Sequence, residues 1–98
     1  LLASSAASDV YKRQALDINT DQFAPFYRNG TLLILSQESE IRRGDRIAVF
    51  MSDNSIVIRE FVHRTATTLE LKDILSADKT SVNVEDIRIV HRIVWASQ

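Results

Sequence analysis

Side chains of types that do covalent chemistry are scattered along this 98-residue chain. Ser36, Ser52 and Ser55 carry hydroxyls and Lys72 an amine, so a serine nucleophile with a lysine as general base, such as Ser36 with Lys72, is a pairing the residue types allow. Each also has a plainer reading, which we prefer because a motif needs its structural context. Ser36 ends an apolar run, Ser52 and Ser55 flank a turn, and Lys72 is a solvated charge after "LEL". His63 and His91 lack the thiolate or carboxylate neighbours of a metal site, so they read as surface or boundary histidines, with no metal and no cofactor expected. Arg42, Arg43 and Arg46 form a short basic cluster, read as a solvated turn, with a partner-facing patch as the alternative. Trp95, near the end of an apolar run, reads as core, with ligand stacking as the alternative.

The elements that must position these residues begin at Ala15. Residues 4–14, "SSAASDVYKRQ", read codon for codon as the translation of a sequencing-library transposon adapter. They lack the basic start and apolar stretch of a signal peptide. Residues 1–14 are therefore set aside as a non-native tail and 15–98 taken as one domain, cut from a longer protein whose N-terminal part is missing. A domain of this size buries only roughly 60% of its unfolded surface, around a single core. Hydrophobic residues at 45% and charged residues at 26% are ordinary globular usage and argue against disorder. No apolar run approaches the ~20 residues of a membrane helix, so a soluble, cytoplasmic protein with no membrane partner is expected. The net charge of −1 becomes −2 once Asp9, Lys12 and Arg13 are set aside. A mildly acidic domain is a poor nucleic-acid binder by itself, because that affinity rests on neutralising phosphates. With no cysteine there is no disulfide and no thiolate metal site.

From Ala15 onward, short β-branched and aromatic runs alternate with turn residues, which predicts an all-β domain. "ALDIN" sets Leu16 and Ile18 against Asp17 and Asn19, as a half-buried strand does. Residues 31–36, "TLLILS", form a buried strand after a tight turn at Asn29 and Gly30. "QESEIRRGD" is a polar connection with Gly44 as its turn residue. "RIAVFM" and "IVIREFVHR", joined by "SDNS", predict a hairpin, and "TTLEL" a further strand. "KDILSADKT" reads as a loop with room for one helical turn. The last strand, within "SVNVEDIRIVHRIVWAS", places Ile87, Ile89, Ile93 and Trp95 on one face against Arg88, Val90, Arg92 and Val94. The apolar residues on both faces of "RIAVFM" and "RIVWA" exceed what one small core needs.

"DQFAPFYRNGTLLIL" resembles the nucleophile segment in the C-terminal domain of LexA and phage-type repressors, where Asp-Ser-Met-x-Pro precedes a polar stretch, a Gly and an apolar strand. Aligned on Pro25 and Gly30, Asp21, Phe23 and Pro25 fall at the family's Asp, Met and Pro, and Gln22 falls at its catalytic serine. "IRRGDRIAVF" resembles the family's Gly-Asp turn, here Gly44 and Asp45, before a strand. "SIVIREF" resembles the strand that carries the lysine, a position taken here by Arg59, and "DIRIVHRIVWASQ" the closing strand. The similarity runs from Ala15 to Gln98.

The resemblance implies a small, partly open antiparallel β-barrel whose ancestral chemistry is a serine hydroxyl activated by a lysine of lowered pKa. A guanidinium stays protonated at ordinary pH and an amide has no hydroxyl, so Arg59 and Gln22 leave both halves of that dyad absent. Arg59, on a mostly apolar strand, is expected to take Asp21 as its carboxylate partner. The implied role is the dimerisation and regulatory domain of a transcriptional regulator. Such a domain forms a homodimer and meets DNA only through a missing helix-turn-helix half. Two readings stay open beside it: an active Ser/Lys self-cleaving peptidase, and a generic small β-barrel that binds a peptide or small ligand, since fold alone does not give function.

Overall fold

Extended, β-branched runs punctuated by glycine and Asx turns fold into seven strands in a computed structural model that describes residues 13–24, 26–37 and 40–97. They are β1 (Arg13–Asp17), β2 (Leu32–Ser36), β3 (Arg46–Met51), β4 (Ile56–Arg64), β5 (Thr68–Lys72), β6 (Lys79–Asn83) and β7 (Ile87–Ala96). One 3-10 turn, Val84–Asp86, precedes β7. Every strand pair is antiparallel, in the order β1-β2-β7-β3-β4-β5-β6, and β1 and β6 are the open edges. Extents of 32 × 31 × 25 Å are too thick for a flat sheet, so the sheet curls without closing. The domain is thus all-β and open, as expected. No helix among the described residues is long and apolar enough to cross a membrane.

Both faces of the sheet carry a core. Leu16, Leu33, Leu35, Ala48, Phe50 and Ile58 build the first cluster, and Ile47, Val49, Leu69 and Leu71 the second. β3 feeds both, with Ala48 and Phe50 on one face and Ile47 and Val49 on the other. The apolar excess of "RIAVFM" is therefore used inside the chain, because a central strand buried on both sides needs a continuous apolar run.

Three expectations need correction. β1 begins at Arg13, two residues inside the tail set aside, because a ladder is made by the backbone and any extended residue prolongs it: Arg13 pairs with Ser36 and Gln14 with Leu35. Residues 1–12 lie outside the described residues. Lys79–Asn83 is a strand of its own, hairpinned to β5, although its apolar alternation is reduced to Val82 because it is a solvated edge. The single-face assignment in β7 also fails. One extra residue sits between the pairs Ile34↔Trp95 and Leu35↔Ile93, and another between Phe50↔Ile89 and Met51↔Ile87. Each bulge reverses the alternation. Ile89 and Ile93 stay with the first cluster, Ile87 joins the second beside Val90, and Trp95 turns out of the core with 53% of its surface exposed.

Candidate functional site

The loop that resembles a nucleophile segment is an excursion from the β1–β2 hairpin, closed at its neck. The Gly30 amide donates to the Ile18 carbonyl at 2.7 Å and the Ile18 amide to the Thr31 carbonyl at 2.8 Å. Gly30 has a φ of +95°, which explains a glycine at this point. Inside the excursion the Tyr27 amide donates to the Phe23 carbonyl at 3.0 Å. Both are buried in the first cluster. Asp21 and Gln22 remain exposed. The Asp21 carbonyl accepts from the Ala24 amide, and the Gln22 amide donates to Thr20 Oγ1 at 3.2 Å. Pro25 lies outside the described residues.

Arg59 lies on the other side of β4 from this loop. Ile58 pairs with Ala48 and belongs to the first cluster, whereas Arg59 pairs with Ile47 of the second. Successive strand residues face opposite ways. Its Nη1 donates to the Ile58 carbonyl at 2.9 Å. The carboxylate that feels its charge is Asp73, not the expected Asp21. Asp73 follows directly on Lys72, which pairs with Glu60, and so falls beside Arg59. The Asp73 carboxyl is held below its ordinary value by the amides of Ser76 and Leu75 and further by the Arg59 charge. Among the described residues no hydrogen bond joins Gln22 to Arg59.

The Ser36 and Lys72 pairing is not assembled either. Ser36 is buried on β2 opposite Arg92, on the face that Ile47 and Arg59 share. Lys72 pairs with Glu60 and lies 3.9 Å from its carboxylate, on the opposite face and with β7, β3 and β4 between it and β2. Ser55 serves its turn: its amide and hydroxyl both donate to Asp53 Oδ1, at 2.9 and 2.6 Å, and these two bonds hold the Asp53 carboxyl below its ordinary value. The Ser52 amide donates to the Asp86 carbonyl. His63 is exposed. His91 is not a boundary residue: it is 5% exposed beside Phe50, and burial pushes its pKa down.

In the basic cluster Arg42 and Arg43 are solvated, as expected, while Arg46 is not. Its guanidinium stands 4.8 Å from the Phe26 ring centroid and 5.7 Å from that of Tyr27, and its Nη1 donates to the Tyr27 hydroxyl at 3.4 Å. Arg46 thus pins the excursion to the head of β3, a role the sequence reading missed. The available signal was its place at the head of a strand that is apolar on both faces. Gly44, at φ +95°, and Asp45, whose Oδ2 accepts the Arg42 amide at 2.9 Å, shape the turn before it. The turn is tied to β4 through the Gly44 amide and the Phe61 carbonyl.

A search of curated proteins returned no match. A family model described as Peptidase S24-like matches residues 4–94, from the first residue of the adapter-like stretch almost to the end of β7. That span takes in the looped excursion, the turn at Gly44 and Asp45 and all but the last residues of the sheet, and on it the chain belongs to the Peptidase S24-like family.

Proposed function

We propose that this chain has kept the family's fold and lost its chemistry, and works as the dimerising, regulatory half of a DNA-binding transcriptional regulator whose helix-turn-helix half lies upstream. The observation that carries this reading is the pair of residue types at the aligned positions, an amide at Gln22 and a guanidinium at Arg59. A guanidinium stays protonated at any ordinary pH and cannot take a hydroxyl's proton, and an amide offers no hydroxyl to attack with. The separation of Ser36 and Lys72 onto opposite faces supports it, since that replacement pair is not assembled. A regulator of this kind is not released by self-cleavage, so its occupancy of DNA follows its dimerisation.

Intact-mass spectrometry tests the loss of chemistry. The chain, incubated alone or with a linker peptide supplied in trans, stays whole from about pH 7 to about pH 11, a range that deprotonates an ordinary lysine. Cleavage that a single change at Ser36 or Lys72 abolishes would overturn the reading. An independent long read of the same locus tests the upstream half, which is expected to encode a helix-turn-helix in place of residues 4–14.

A further inference from the structure

On β1, β2 and β7 the face away from the first cluster carries an apolar strip that neither core cluster uses. Ala15 pairs with Ile34, Ile34 with Trp95, and Leu32 lies two residues before Ile34 on β2. None of the four belongs to a cluster, whereas over β3, β4 and β5 the same face is closed by Ile47, Val49, Leu69 and Leu71. Trp95 stands 53% exposed in the strip. An exposed tryptophan beside Ala15, Leu32 and Ile34 is the composition of a protein contact rather than of a solvated face.

Charge at two corners says what covers it. Asp17 pairs with Leu32 at one end of the strip; at the other, Ser36 pairs with Arg13 on β1 and with Arg92, the charge set diagonally from Asp17, on β7. The two levels are four residues apart along β2, about 13 Å, and the two charges sit on strands either side of β2. Neither makes an ion pair among the described residues, and Arg92 Nε is buried with no hydrogen-bond partner. Nearby, Glu40 and Arg42 pair with each other at 3.2 Å, and Asp45 accepts the Arg42 amide. A negative corner and a positive corner on one diagonal make the strip complementary to itself. A two-fold axis in the plane of contact, passing over Ile34 across that diagonal, sets Asp17 of each copy against Arg92 of the other and brings Trp95 over Leu32. Resting on the dimerising role above, we propose that the occupant of this strip is a second copy of the chain, joined face to face through Trp95, Ile34 and Leu32 with reciprocal Asp17 to Arg92 pairs.

Trp95 is the only tryptophan, so its fluorescence reports the strip directly. Light scattering after size exclusion and Trp95 emission are read across a dilution series of the full 98-residue chain, with circular dichroism to confirm folding of each variant. The expected result is a dimer at tens of micromolar whose emission moves to the red on dilution. Trp95→Glu, read by scattering, raises the dissociation constant by at least about tenfold, as for a central aromatic anchor. Asp17→Arg and Arg92→Asp each weaken the dimer by about tenfold, and the double swap restores it to within about threefold. A dimer that ignores Trp95→Glu and both reversals, or a folded double swap that stays weak, overturns this surface and leaves the dimerising role standing. A wild-type chain that is monomeric throughout overturns the dimerising role itself, and the surface with it.

Discussion

The His91 imidazole meets the Phe50 ring edge-on, 5.3 Å between centroids and 75° between planes, with its Nδ1 buried and unbonded. The same face carries cations, Arg46 at the head of β3 and, on β7 itself, Arg88, whose guanidinium lies 6.0 Å from the Phe50 ring. Burial therefore lowers the His91 pKa from its ordinary 6.5. A lowered histidine stays neutral when folded while the unfolded chain takes up a proton, so stability is complete above about pH 6.5 and falls as pH drops below it. The lowered carboxylates of Asp53 and Asp73 act in a different window, losing their contribution only as pH falls below about 3.8. Urea unfolding at about pH 7.5 and pH 5 should show a loss of stability that His91→Leu removes.

The two glycines test backbone against packing. Gly30 and Gly44 both have φ near +95°, and a Cβ at either would meet nothing within 4 Å. Substitution there costs only the strain of a left-handed residue, about 1–2 kcal/mol for alanine. Asparagine tolerates that region better, so Gly44→Asn should lose less than Gly44→Ala in thermal or urea unfolding. Equal losses from both would point to a steric cause that the structure does not contain.

Arg46 should behave as a latch on the excursion. Its contacts with Phe26 and Tyr27 are of a kind worth about 0.5–1 kcal/mol at a partly exposed site. Arg46→Ala should lower global stability by about that amount and speed amide exchange at Tyr27 and Gly30, with little change in β4 or β5. Lysine keeps the charge and loses the planar stack, so Arg46→Lys should recover only part of the protection.

The strands were legible where one physical rule governed them. "RIAVFM" and "IVIREFVHR" coincide with β3 and β4 because Gly44 and the "SDNS" turn, where Asn54 takes φ 72°, bound them on the sequence itself. The first strand showed in the alternation of Leu16 and Ile18, both 1% exposed. The ends of the sheet were less legible. β6 has lost its apolar alternation because an edge strand meets water on most sides, and β7 carries two bulges that a period of two cannot represent. The position of Trp95 therefore read as core when the bulge at Val94 turns it outward. The candidate site was legible in its residue types, Gln22 and Arg59, and not in its geometry, because which face of β4 meets the loop is decided by pairing with β3.

Ile58 and Arg59 stand on opposite faces of β4, and that difference gives the aligned positions a specific test. A lysine at position 59 would replace a half-buried guanidinium beside the negative Asp73, and a neighbouring carboxylate favours the charged amine. Gln22→Ser with Arg59→Lys should therefore remain intact, followed by intact-mass spectrometry, because the new amine is charged near pH 7 and lies on the face of β4 away from the loop. A lysine at position 58 would instead enter the first cluster, with Phe23, Leu35 and Phe50, where burial holds an amine neutral at lower pH. It should destabilise the fold by several kcal/mol, as a buried unpaired amine does. Cleavage near pH 7 by Gln22→Ser with Ile58→Lys, absent from the Arg59→Lys pair, would move the inferred base one residue toward the loop. Cleavage by the Arg59→Lys pair near pH 7 would mean that the loop and β4 approach one another on the Ile47 face.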